Sequence, residues 1–171
     1  MTPGRLVVHF VALGLAGGRP LAAGETGAAP PGRGLVAIWS GCYDLFDQGR
    51  IAEAGVQWRA PRRLWVLRPF AGGMVNFEGS YNLHAGIAYD WRRGPWTIRP
   101  SFAPGYYDPG GGKDLGHALE FRSGLELSRR LGPRVRVGLE LYHLSNAGLA
   151  DHNPGETSLV LTVGLPVPGR R

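Results

Sequence analysis

The sequence predicts an all-β protein, an eight-stranded antiparallel transmembrane β-barrel of the outer-membrane type. First, from residue 35 onward the chain contains a series of stretches with strand character, several of which alternate between apolar and polar residues. Second, 28 glycines and 14 prolines provide for many turns, and no stretch of useful length has a helical period. Third, the N-terminus has the pattern of an export signal.

The chain divides into four segments of different composition. Arg5 precedes an apolar run over residues 6–16, and the small residues of 21–23 suit a cleavage site. An apolar run of about 11 residues is too short for a spanning helix, so we interpret it as a signal peptide. We therefore expect a signal peptide at 1–23, a flexible Gly/Ala/Pro leader at 24–34, the barrel at 35–166 and a C-terminal tail at 167–171.

The strand stretches alternate most clearly in the fourth, where Tyr81, Leu83 and Ile87 oppose Asn82 and His84. A soluble sandwich would also alternate. The export signal, the even strand number, strands of ten or more residues and short turns alternating with longer loops favour a membrane barrel. The predicted strands are 35–44, 50–60, 63–76, 79–92, 95–107, 116–130, 134–146 and 157–166.

The remaining composition excludes several classes of function. Cys42 is the only cysteine, so no intramolecular disulfide and no cysteine-built zinc site is predicted. The net charge of +6 comes from arginines that are spread along the chain without a basic helix or a long basic run. We therefore expect no nucleic-acid partner, and an anionic lipid surface fits the charge better. No metal or cofactor is predicted.

One pair of polar residues continues an apolar stripe. Val137, Leu139 and Leu141 share one side of the seventh strand, and the same period of two brings His143 and Ser145 to that side. Residues two apart on a strand lie about 6–7 Å apart at Cα, which suits a base and a nucleophile. With a periplasmic N-terminus this strand runs outward, so the pair would face lipid near the outer leaflet. A hydrolase of a membrane lipid would need its polar groups there.

The stretch from His143 to Leu149, with the Asn153-Pro154-Gly155 segment that follows, resembles the lipid A 3-O-deacylase (PagL) family. The resemblance extends to residues 115–123. It implies an eight-stranded barrel in the bacterial outer membrane that removes the ester-linked 3-O-acyl chain of lipid A, the lipid of lipopolysaccharide, as a monomer or homodimer and without a cofactor.

The resemblance also implies roles for individual residues. The family's base and nucleophile fall on His143 and Ser145, and its oxyanion donors fall on the Asn146 side chain and the Gly148 backbone N–H. The sequence departs from the family pattern at the acid that orients the histidine.

The position of the family's glutamate is occupied by Thr157, and the glutamate of this chain, Glu156, comes one residue earlier. A one-residue shift in a regular strand reverses the face. We expect an irregular strand start after Pro154-Gly155 to turn Glu156 outward as the orienting acid. Asp151 is the second candidate, and a Ser–His dyad is the third. The alternative function is a structural or adhesin-like barrel that has lost the catalytic acid.

Overall fold

The computed structural model describes residues 34–46 and 50–167. The predicted signal peptide lies outside the described residues, as do all of the predicted leader except Gly34 and all of the predicted tail except Val167. The described residues contain no helix long and apolar enough to cross a membrane. They form nine strand segments: β1 (Leu35–Tyr43), β2 (Ile51–Arg59), β3 (Leu67–Asn76), β4 (Tyr81–Tyr89), β5 (Trp91–Arg93), β6 (Trp96–Asp108), β7 (Leu119–Leu131), β8 (Val135–Ser145) and β9 (Glu156–Pro166).

The strands form a closed antiparallel barrel. Consecutive strands pair with each other except β4 and β5, β4 pairs with β6, and β9 pairs with β1. The three-residue β5 follows β4 after Asp90 and pairs with the start of β6, so β4 and β5 together form one strand of the barrel wall. The eight-stranded barrel predicted from the sequence is therefore confirmed.

Each observed strand differs from the prediction by a few residues at one end or both, and two of these differences have a visible cause. The third strand begins at Leu67 and not at residue 63, because Trp65 has a φ of 59° and belongs to a turn. The fourth stretch is interrupted at Asp90, which lies between β4 and β5. As a result the turn between β2 and β3 spans residues 60–66, longer than the tight turn expected.

Alternation separates a lipid-facing wall from a polar interior. On β7 and β8, Leu127 and Leu139 are about half exposed, whereas their neighbours Glu126 and Glu140 are buried. Exposed leucines on the outside and buried carboxylates on the inside are the arrangement expected of a membrane barrel. Six charged residues on the inward side of this alternation are buried: Glu53, Asp90, Glu120, Arg122, Glu126 and Glu140.

The interior is filled by paired side chains. Arg122 donates to Glu140 at 2.8 Å, and its guanidinium lies 3.8 Å from the centre of the Tyr142 ring. Tyr142 donates to Glu53 at 2.5 Å, and Arg59 forms an ion pair with Glu126. Pairing offsets part of the cost of burying these charges, so the interior is a packed polar core.

Candidate active site

His143 and Ser145 lie at the end of β8, on its outer wall. The exposed Leu139 and Leu141 precede them on the same wall. His143 and Ser145 themselves are half-buried. His143 is paired across the sheet with Ser123 of β7 and Thr157 of β9. The apolar stripe of β8 therefore ends in a small polar patch at one end of the barrel.

A hydrogen bond from β9 orients the His143 ring. Nδ1 of His143 lies 2.9 Å from Oγ1 of Thr157, its partner in the sheet. When Nδ1 carries the proton and donates to this hydroxyl, Nε2 is left as the acceptor. This is the tautomer that a general base acting on a serine requires.

Gly155 makes room for the imidazole. It has a φ of 61°, and a Cβ added there would lie 2.9 Å from Nε2 of His143. Any larger residue would combine backbone strain with a clash against the nitrogen that has to accept the proton. The glycine that ends the loop before β9 is therefore part of the site.

The hydroxyl of Ser145 makes no hydrogen bond with any residue that the structure describes. Its backbone is the last of the β8 ladder, opposite Phe121. Contacts between base and nucleophile are often loose in a site without substrate, so this geometry leaves Ser145 available to His143.

Glu156 is not placed to orient His143, and this prediction is wrong. The β8–β9 register stays regular, with His143 opposite Thr157 and Leu144 opposite Glu156, so no irregular start turns Glu156 outward. Its side chain is buried in the interior, where its Oε2 accepts a hydrogen bond from the Ser158 hydroxyl at 3.0 Å. The one-residue shift reverses the face, as it does in any regular strand.

Asp151, the second candidate acid, lies exposed in the loop between β8 and β9. Among the described residues it has no hydrogen bond or ion pair, so it does not contact His143. Neither candidate acid therefore contacts His143, and the side chain on β9 that does is Thr157.

Asn146 and Gly148 also differ from the roles predicted for them. The Asn146 side chain is fully buried, and its Nδ2 donates to the carbonyls of Leu115 at 3.0 Å and His152 at 2.9 Å. Its Oδ1 accepts from the Gly148 N–H at 2.9 Å. Both predicted oxyanion donors are thus already engaged, and Asn146 ties the two long loops of this end together.

Two other donors remain beside Ser145. The backbone N–H of Ala147 makes no hydrogen bond within the described part of the chain, and Ala147 has a φ of 55°, rare for a residue with a Cβ. Asn153 is exposed, and its Oδ1 accepts from the Asn146 N–H at 3.1 Å. Its NH2 group makes no hydrogen bond with a described residue. Sequence reasoning missed both; an asparagine two residues before Gly155 was the available signal.

The site contains no candidate metal centre. No group of three or more His, Cys, Asp or Glu side chains in the described ranges could hold a metal ion. His84 is buried in the interior against Asn82 at 2.8 Å, and His117 is exposed in a loop, so neither belongs to the site.

The closed barrel, its apolar outer wall and the polar patch on that wall define an outer-membrane β-barrel with an enzyme-like site. Comparison with known proteins narrows the class. The sequence model of the family "Lipid A 3-O-deacylase (PagL)" matches residues 41–166, so the chain belongs to the lipid A 3-O-deacylase family.

Solved structures agree on the fold. The crystal structure of the outer-membrane enzyme PagL superposes with a TM-score of 0.62 at 21% identity, covering 78% of this chain and 99% of that one. Neisserial surface protein A (NspA) gives a TM-score of 0.53 at 14% identity, covering 77% and 95%. Among curated protein sequences, none matches this chain.

Proposed function

We propose that this protein is an outer-membrane serine esterase that hydrolyses the 3-O-acyl ester of lipid A, with Ser145 as nucleophile and His143 as general base. The observation that carries the proposal is the position of both side chains on the lipid-facing wall at one end of the barrel. An enzyme whose substrate is anchored by acyl chains in the same leaflet needs its site there. Membership of the lipid A 3-O-deacylase family supports the reaction.

The geometry supports the following sequence of steps. Nε2 of His143 takes the proton of the Ser145 hydroxyl while Oγ attacks the ester carbonyl. The tetrahedral intermediate collapses, the C–O bond to the lipid A 3-oxygen breaks, and that oxygen receives the proton from Nε2. A water then attacks the acyl-serine, Nε2 again takes and returns the proton, and a free fatty acid leaves Ser145 in its original state.

The charge of the tetrahedral intermediate requires donors, and two are available. The Ala147 N–H belongs to the backbone that follows Ser145, and Asn153 contacts that backbone through its Oδ1. Neither the Ala147 N–H nor the Asn153 NH2 group is used by another described residue. Donors fixed in advance stabilise an oxyanion without reorganisation, and losing one costs roughly 10²–10³ in rate in comparable sites. We assign the oxyanion site to these two groups, in place of Asn146 and Gly148.

The test is the lipid A profile of bacteria that lack any other 3-O-deacylase and express the full chain. Wild-type protein should remove one 3-hydroxy fatty acid from lipid A, seen by mass spectrometry. Ser145→Ala and His143→Ala should abolish this loss, because each removes a group whose absence typically costs several orders of magnitude in rate. Ser40→Ala is the matched control, since Ser40 is an exposed serine of the outer wall on β1.

Folding is checked by the heat-dependent gel mobility of barrels. Unchanged lipid A with a folded wild-type barrel would contradict the proposed activity. Continued release by folded Ser145→Ala would contradict the assignment of the nucleophile. Oligomeric state, monomer or homodimer, stays a prediction.

A non-enzymatic barrel is the second candidate, favoured by one observation. Within the described residues no carboxylate contacts His143, because Glu156 lies in the interior. The same lipid A profile separates the two functions, since a structural barrel leaves lipid A intact in every variant.

A further inference from the structure

Charge is divided unevenly between the two ends of the barrel. At the end opposite the site, seven arginines are exposed: Arg62, Arg63, Arg92, Arg93, Arg129, Arg130 and Arg134. We call this set, with the turns that carry it, the basic rim. The only acidic residue described there is Asp90, which is buried and bound to Arg68, Arg92 and Arg99.

The exposed carboxylates of the described residues all lie at the site end: Glu78, Asp114 and Asp151. Within the described ranges, no exposed carboxylate therefore lies at the basic rim. An end with this charge attracts an anionic surface.

A groove lies on the outer wall beside the basic rim. It has a volume of about 370 Å³ and is lined by Trp91, Arg93, Trp96, Ile98 and Leu127. Ile98 and Leu127 are sheet partners, and Trp91 pairs with Ile98, so the floor is a continuous apolar strip across β5, β6 and β7. A strip of this kind on a lipid-facing wall suits an acyl chain.

Two arginines border the apolar strip. Arg129 follows Leu127 on the outer wall of β7, and its guanidinium lies 5.5 Å from the centre of the Trp96 ring. Arg93 lines the groove itself. Neither forms an ion pair with a described residue. Arginines at the membrane boundary, stacked on tryptophan and without a carboxylate, present their donors to a phosphate.

We propose that this groove is a binding site for an anionic glycerophospholipid of the leaflet opposite the site. The acyl chain lies against Trp91, Trp96 and Leu127, and the headgroup phosphate lies between Arg93 and Arg129. The apolar floor selects a lipid over free phosphate, and the uncompensated positive charge selects an anionic headgroup over a zwitterionic one.

Tryptophan fluorescence gives a direct test. Of the five tryptophans, Trp39 is buried in the interior, whereas Trp58, Trp65, Trp91 and Trp96 are exposed near the basic rim. The full chain is refolded into phosphatidylcholine vesicles with an equal minor fraction of brominated phosphatidylglycerol or brominated phosphatidylcholine. The brominated lipid quenches a tryptophan that it contacts.

The proposal requires stronger quenching by the brominated phosphatidylglycerol than by the brominated phosphatidylcholine. The difference should correspond to a several-fold higher relative affinity, because one arginine at an anionic surface raises affinity about fivefold. The variant Arg93→Gln/Arg129→Gln should lose this preference, and Arg93→Lys/Arg129→Lys should keep part of it. Arg50→Gln, an exposed arginine at the site end, should behave as wild type. Heat-dependent gel mobility shows which variants are folded.

Three results would overturn the proposal. Equal quenching by the two lipids in wild type would show no headgroup selection. An unchanged preference in the folded Gln/Gln variant would show that these arginines do not make it. Loss of the preference when inorganic phosphate is added in excess would identify a free-anion site and not a lipid site.

Discussion

A threonine beside the proposed general base His143 supplies only one of the two interactions that a carboxylate would supply. The Thr157 hydroxyl lies 2.9 Å from Nδ1 of His143 and holds the ring, and it can accept the Nδ1 proton in the tautomer that leaves Nε2 free. It carries no charge, however, and cannot stabilise the imidazolium that forms when Nε2 takes the serine proton. We therefore expect this chain to be active but slower than a site with a charged partner.

The substitution Thr157→Glu tests this at a single residue. A glutamate there faces His143 across the β8–β9 pair and should raise kcat by about ten- to a hundredfold, less than the ~10⁴ attributed to a full triad acid because the ring already has a hydrogen-bond partner on β9. Thr157→Val should lower kcat, since the ring loses its partner. The measurement is release of fatty acid from lipid A by purified protein in detergent.

Glu156→Gln is the matched control for this pair, because it alters the neighbouring side chain on the opposite face of the same strand. It should leave the rate near wild type. A rate loss in folded Glu156→Gln as large as that of Thr157→Val, or no gain in folded Thr157→Glu, would contradict the role given to Thr157.

At the scale of elements, the end of β8 depends on one buried amide. The Asn146 side chain contacts the carbonyl of Leu115 in the loop between β6 and β7, and the carbonyl of His152 in the loop between β8 and β9. Lys113 of the first loop also forms an ion pair with Asp44 at 2.9 Å. These bonds hold the loops around Ser145 in place.

Loss of the Asn146 amide should loosen these loops. Lys113 is the only lysine of the 171 residues, so lysyl endopeptidase has one possible cleavage site in the whole chain. Asn146→Ala should increase the cleavage rate at Lys113 several-fold and reduce activity in parallel, because local opening exposes the bond. Asn153→Ala should reduce activity while cleavage stays at the wild-type rate.

Activity lost without faster cleavage in Asn146→Ala would instead favour the direct oxyanion role that the family resemblance implies.

Whether a structural feature could be predicted from the sequence depends on whether neighbouring residues alone determine it. Alternation depends only on the strand period, so the inward side of Glu126 and Glu140 follows from the sequence, and both are buried in the interior. The face of Glu156 depends on whether the register stays regular after Gly155, and the partners of Asn146 depend on how two loops meet. The local residue pattern contains neither piece of information.

At the scale of the molecule, the barrel is held from within by charges. The apolar side chains of the wall face lipid, so the interior relies on paired polar groups such as Arg122 with Glu140. Arg122 also stacks on Tyr142, whose neighbours in β8 include His143. The polar core therefore supports the wall on which the site is built.

Replacing one partner of the Arg122–Glu140 pair should lower the free energy of unfolding more than replacing both partners. Arg122→Met leaves Glu140 buried without its partner and should lower the free energy of unfolding by about 3–5 kcal/mol. The double variant Arg122→Met/Glu140→Met should recover part of that loss, because no uncompensated charge remains. Urea unfolding in detergent micelles, followed by tryptophan fluorescence, measures both, and Arg50→Met at the exposed end serves as control. If the double variant is as unstable as Arg122→Met, packing around Arg122 and not its charge stabilises the interior. The site on β8 would then depend on the shape of that side chain more than on its ion pair.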